Sequence, residues 1–141
     1  MRNDRVLLVL VLADIFLVIL TLVAESAFFS TLPDSLRGHA SMPQLSLTEI
    51  ALFPWWFAIV VATLVSWFGL LNYWWPSRIL YVGAWLAWLV LVALSGPSVM
   101  TAAGAAIETL EHLVGGAIIG VVYFSDLSKR FDEGDLETAP A

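Results

Sequence analysis

Residues 98–124 read SVMTAAGAAIETLEHLVGGAIIGVVYF, an apolar run with three ionisable side chains, Glu108, Glu111 and His112, near its middle. A helix needs about 20 apolar residues to cross the hydrocarbon layer. In lipid only helices and closed barrels satisfy their own backbone, and this run is too long and continuous for a barrel strand. It predicts a transmembrane helix. Each acid at mid-bilayer costs roughly 2.5–3.5 kcal/mol on insertion scales, so something must offset Glu108 and Glu111.

Three more runs of this kind precede it, at residues 6–29, 54–73 and 79–94, the last extended by Trp75 to Arg78. The chain has 141 residues, enough for one domain, and 60% of them are hydrophobic. A soluble domain is nearer half apolar, and the mean hydropathy of +0.90 points to lipid as the solvent. The sequence predicts an all-α integral membrane protein, a four-helix transmembrane bundle with up-down-up-down topology. Its transmembrane domain covers residues 1–131, and residues 132–141 read as an acidic, flexible tail. The first run is longer than a signal-peptide core and is interrupted by Asp14, so it reads as an uncleaved span.

Lysine and arginine set the expected orientation. Arg2 and Arg5 precede the first span, Arg78 follows the second, and Lys129 and Arg130 follow the fourth. Four spans put all of these on one side and only Arg37 on the other. Positive-inside then predicts cytoplasmic N and C termini, and the expected location is a bacterial inner membrane. Trp55 and Trp56 at one end of the second span, and Trp74 and Trp75 at the other, read as interfacial belts. Trp67, Trp85 and Trp88 lie deeper, either as packed or lipid-facing bulk or as an aromatic wall for a flat ligand such as a quinone.

The connections carry their own signals. Residues 31–45 read as one long outer loop, with prolines at 33 and 43. Ser46 and Glu49 have the spacing of a capping box, and Pro54 is expected to start or kink the second span. Gly96 suits a C′ position and Pro97 suits N1, which predicts an antiparallel hairpin of the third and fourth spans.

On the fourth span, Glu108, Glu111, His112 and Gly115 share a face by the i, i+3, i+4 rule. Gly116 and Gly120 form a small-xxx-small motif, a candidate helix-packing face. On the first span, Asp14 and Glu25 lie 11 residues apart, within roughly 20° of one another around the helix. If the first and fourth spans touch, these acids and His112 line one seam, with Thr21 beside it and Thr63 and Ser66 within reach from the second span. No lysine or arginine lies inside a span. The acids must be protonated, hydrated, bound to a cation or hydrogen-bonded between helices.

The chemistry remains open at this level. Glu108, Glu111 and His112, with Asp14 and Glu25 as relay groups, are candidates for a proton or cation site, and the first three for a metal site. Thr109 stands three residues before His112, so the Glu-x-x-His pattern of bundle diiron sites is missing. There is no cysteine, phosphate loop or nucleophile motif, hence no positive sign of catalysis. No cofactor is required by the sequence. The acidic, lysine-poor chain, net charge −6, argues against nucleic acid as a partner. The expected partners are the lipid bilayer and a second copy or another membrane subunit. The leading expectation is a non-catalytic accessory or scaffold subunit, and the alternative is a proton, cation or metal binding or permeation protein.

Overall fold

The computed structural model describes residues 2–41, 47–95 and 99–131. The described chain is helical, without a strand. Its helices are α1 (Arg2–Phe28), α2 (Asp34–Ser41), α3 (Leu47–Leu71), α4 (Pro76–Ser95) and α5 (Ala102–Phe124). Four of them, α1, α3, α4 and α5, are long and apolar enough to cross a membrane.

Several boundaries differ from the sequence expectation, each for a local reason. The outer loop contains a helix: the Pro33 carbonyl accepts from the N–H groups of Leu36 and Arg37, which opens α2. Arg37 then reaches back to the Leu32 carbonyl at 2.9 Å and pairs with Asp34. Helix α3 begins at Leu47, so Pro54 lies inside the helix rather than at its start. The proline removes one backbone donor, and the helix continues through it, as spanning helices tolerate. Helix α5 begins at Ala102 rather than Ser98, because Thr101 is extended and its hydroxyl accepts from the Gly104 N–H at 3.0 Å, an N-cap. The proposed cap at Ser46, the Gly96-Pro97 turn and the acidic tail lie outside the described residues.

Helix α3 stops in a Schellman arrangement. The Trp74 N–H bonds the Gly69 carbonyl at 2.9 Å and the Tyr73 N–H bonds that of Leu70 at 3.3 Å. The C′ residue is Tyr73, with φ 54°, where glycine is usual. Tertiary contacts hold it there. Its hydroxyl donates to Asp4 at 3.0 Å, and its ring packs 5.3 Å from that of Phe131.

The long helices associate as two close pairs, α1 with α5 and α3 with α4. The first pair is antiparallel: Glu25 meets Thr101 at one end, and Asp4 meets Arg130 at the other. The expected hairpin partner of α5 was α4, but its closest neighbour is α1. At Gly104 the absence of a side chain lets α5 approach Glu25 of α1 directly.

The core that joins the pairs lies toward one end. It comprises Leu7 and Val11 of α1, Trp67 and Leu70 of α3, Tyr81 of α4, Ile118 and Val122 of α5, and Leu127 and Phe131 beyond it. Residues 51–65 of α3 contain no buried side chain. Along their outer side, α3 and α4 flank an apolar groove of about 840 Å³ that runs from Trp55 at one end to Trp74 and Pro76 at the other, with Ala58, Ala62, Gly83 and Ala87 between.

Candidate functional site

The acids of α1 and α5 meet along the seam between these helices, but they are treated differently at each level. Asp14 is the most enclosed, only 3% exposed. Its Oδ2 accepts from Trp67 Nε1 at 2.8 Å and from the Tyr81 hydroxyl at 2.9 Å. One carboxylate oxygen of α1 thus holds a donor from α3 and a donor from α4, and bridges the two helix pairs. Neither donor was evident from sequence. Tyr81 stands 67 residues from Asp14, and Trp67 read as bulk. The available signal was a buried acid with no internal lysine or arginine, which calls for neutral donors.

Glu25 sits at the other end of the seam. Its carboxylate accepts from the Thr101 N–H at 3.0 Å and from the Thr101 hydroxyl at 3.0 Å. It lies at the N-terminus of α5, where backbone donors and the helix dipole favour negative charge. A Cβ on Gly104 would collide with this carboxylate. Glu25 is therefore a cap supplied by another helix.

Between these levels lie Glu108, Glu111 and His112, all half-buried. The Nδ1 of His112 bonds the Glu108 carbonyl at 2.6 Å, and a carbonyl can only accept, so Nδ1 carries the proton. Its ring meets Trp85 of α4 edge-on, with centroids 4.9 Å apart. The Trp85 indole also covers Gly115, where a Cβ would collide with it. Among the described residues, neither the Glu108 nor the Glu111 side chain makes a hydrogen bond.

The hydroxyls expected to join the seam serve their own helices. Thr21 donates to the Leu17 carbonyl, Thr63 to that of Ile59 and Ser66 to that of Thr63. Gly116 and Gly120 do not pack inside the chain; a Cβ on either would meet open space. The glycines of α5 that the fold itself uses are Gly104 and Gly115. Among the described residues, no three His, Asp or Glu side chains gather as a metal-holding group. The apolar groove is walled by Trp55 and Trp74, not by the deeper Trp67 or Trp85.

No protein-family model, curated protein or solved structure matches the chain.

A third cluster closes the end of the molecule that carries the core. Arg130 bonds Asp4 at 3.0 Å, and its guanidinium lies 5.5 Å from the Tyr73 ring centre. Arg78 lies over the rings of Tyr123 and Phe131 and approaches the Ser128 carbonyl at 3.4 Å. Burial, then the hydrogen bond to the Asp4 carboxylate, raise the Tyr73 phenol above its ordinary value near 10. This cluster fastens the 125–131 segment beneath the bundle.

Proposed function

We propose that the protein is a non-catalytic membrane module, an accessory or scaffold subunit of a larger membrane assembly. One observation carries this reading. The chain packs Gly104 and Gly115 inside itself and leaves Gly116 and Gly120 open on α5. Small residues spaced by four give a helix a face on which another backbone can approach closely. The buried acids support the same reading, since Asp14 and Glu25 are occupied in joining helices.

In the membrane the bundle would run up-down-up-down, with both termini cytoplasmic, in a bacterial inner membrane. Arg78 near Ser128 and Arg130 on Asp4 support one basic end, the end expected to face the cytoplasm. Native mass spectrometry of the protein extracted from its host membrane in mild detergent tests the reading. The expected result is a stable oligomer or a stoichiometric second subunit, lost on Gly116→Leu with Gly120→Leu. An assembly unchanged in that variant overturns the packing face, and a monomer carrying a metal ion overturns the module itself.

A second reading is a proton or cation site at Glu108, Glu111 and His112, with Asp14 and Glu25 as relay groups. It is favoured by the lack of hydrogen bonds on Glu108 and Glu111. It requires that Glu108→Gln with Glu111→Gln abolish pH-dependent flux into vesicles.

A further inference from the structure

We propose that Asp14, Glu111 and His112 form one proton-binding site where the four long helices meet. The site rests on the second reading above; it fixes the ligand as the proton and moves the centre from Glu108 to Asp14.

Two atoms that the fold leaves open define it. Asp14 is only 3% exposed, and both of its bonds, from Trp67 and from Tyr81, fall on Oδ2. An indole N–H can only donate, so Oδ2 is an acceptor and the proton of a neutral Asp14 belongs on Oδ1. Among the described residues Oδ1 has no hydrogen-bond partner. Nor is it sealed in, because every fully enclosed side-chain oxygen among those residues has one. His112 has the matching arrangement. The Glu108 carbonyl holds its Nδ1 proton, and Nε2 keeps an open lone pair among the described residues. The open oxygen and the open nitrogen are the atoms on which an exchangeable proton would sit.

The groups around them come from all four helices. Trp67 of α3 and Tyr81 of α4 supply uncharged donors, and Trp85 of α4 packs against the His112 ring. On α5, Glu111 and His112 are each within electrostatic reach of Asp14, and Glu108 is within reach of Glu111. The lysines and arginines lie at or beyond span ends. Two carboxylates that face one another at membrane depth do not both hold full charge, and one imidazole balances only one of them. A proton is therefore shared within the set, and its members titrate together. A metal ion fits less well, since no three His, Asp or Glu side chains among the described residues gather as a metal-holding group.

The test is infrared spectroscopy of the full chain in phosphatidylcholine vesicles across a pH series, reading the carbonyl stretch of protonated carboxyl groups. A band should persist at neutral pH. It should fall by about half or more in Asp14→Asn and in Glu111→Gln, with retained helix checked by circular dichroism. Its midpoint should move by at least about one pH unit in His112→Gln, the mark of coupled groups. Glu25→Gln should leave band and midpoint unchanged. Absence of the band at neutral pH in the unmodified chain overturns the proposal without recourse to any variant. A band indifferent to both Asp14→Asn and Glu111→Gln also overturns it, as does a band removed by added zinc chloride, which would make this a cation site. The second reading fails separately: a band with the expected titration but no proton flux into vesicles refutes permeation and leaves the site, whereas flux without the band refutes the site alone.

Discussion

The two halves of the bundle differ in what fills the space between the helix pairs. Toward the end with Asp4, Tyr73 and Arg130, apolar side chains from every long helix meet, and Asp14 caps that core with two neutral donors. Toward the Glu25 end, α1 and α5 stay together through Thr101, while α3 has no buried side chain over residues 51–65. The first half is a finished interior. The second is two helix pairs with unpartnered faces. A buried acid is tolerated where its acceptors are used, and Asp14 ties α1 to α3 and α4 through two hydrogen bonds beside the apolar core.

The contrast can be broken most severely at its boundary. Asp14→Leu orphans both the Trp67 indole N–H and the Tyr81 hydroxyl and should cost about 2 kcal/mol, given the modest worth of such bonds in bilayers. Denaturant titration of the micellar protein measures it, and Asp14→Asn should recover most of the loss. An unaffected Asp14→Leu would mean that the apolar core alone joins the pairs.

Next in size is Gly115→Val, which drives a side chain into the rigid Trp85 indole; overpacking of this kind costs roughly 1–3 kcal/mol. The neighbouring Gly116→Val should stay within about 0.5 kcal/mol of the parent, because its side chain meets open space. Equal losses in the two variants would erase the distinction between the inner and outer glycines. In the less packed half, Glu25→Ala removes only a cap and should cost about 1 kcal/mol. Its effect should appear as earlier hydrogen exchange at the start of α5.

The smallest effect is a pH dependence at the closed end. The phenol of Tyr73 is raised in the folded state, so folding favours the protonated form. Its contribution is fully present below about pH 10, the unfolded value, and is lost as pH rises through the folded value. Stability should be flat between about pH 7 and 9 and decline above about 10, with a shallower decline in Tyr73→Phe. Identical alkaline profiles for the two proteins would remove Tyr73 from the closure.

The spans were legible because their signal is local. A window of residues 6–29 or 98–124 announces its length and hydropathy without reference to any other part of the chain. The contact of α1 with α5 entered only as a condition for a shared seam, and the hydrogen bonds of Glu25 to Thr101 now supply it, at a level above Glu108. What was misjudged was local chemistry masked by hydrophobicity. Thr101 as the cap and the helix at residues 34–41 each depend on one or two hydrogen bonds that a hydropathy profile does not register. Tyr73 in a left-handed turn was illegible for a different reason, since Asp4, Phe131 and Arg130 hold it there from distant parts of the chain.

The sequence by itself determined that the chain is helical and fit for lipid, because an apolar run must satisfy its backbone within itself. It also determined that acids would lie at membrane depth without a lysine or arginine beside them. Only the tertiary structure decided which of those acids are spoken for. Asp14 and Glu25 found donors because the antiparallel approach of α1 and α5, and the position of Trp67 and Tyr81 across from them, brought donors within 3 Å. Glu108 and Glu111 lie on the same seam and found none among the described residues, since hydrogen bonding depends on the placement of a partner, and no property of the acid's own segment supplies it.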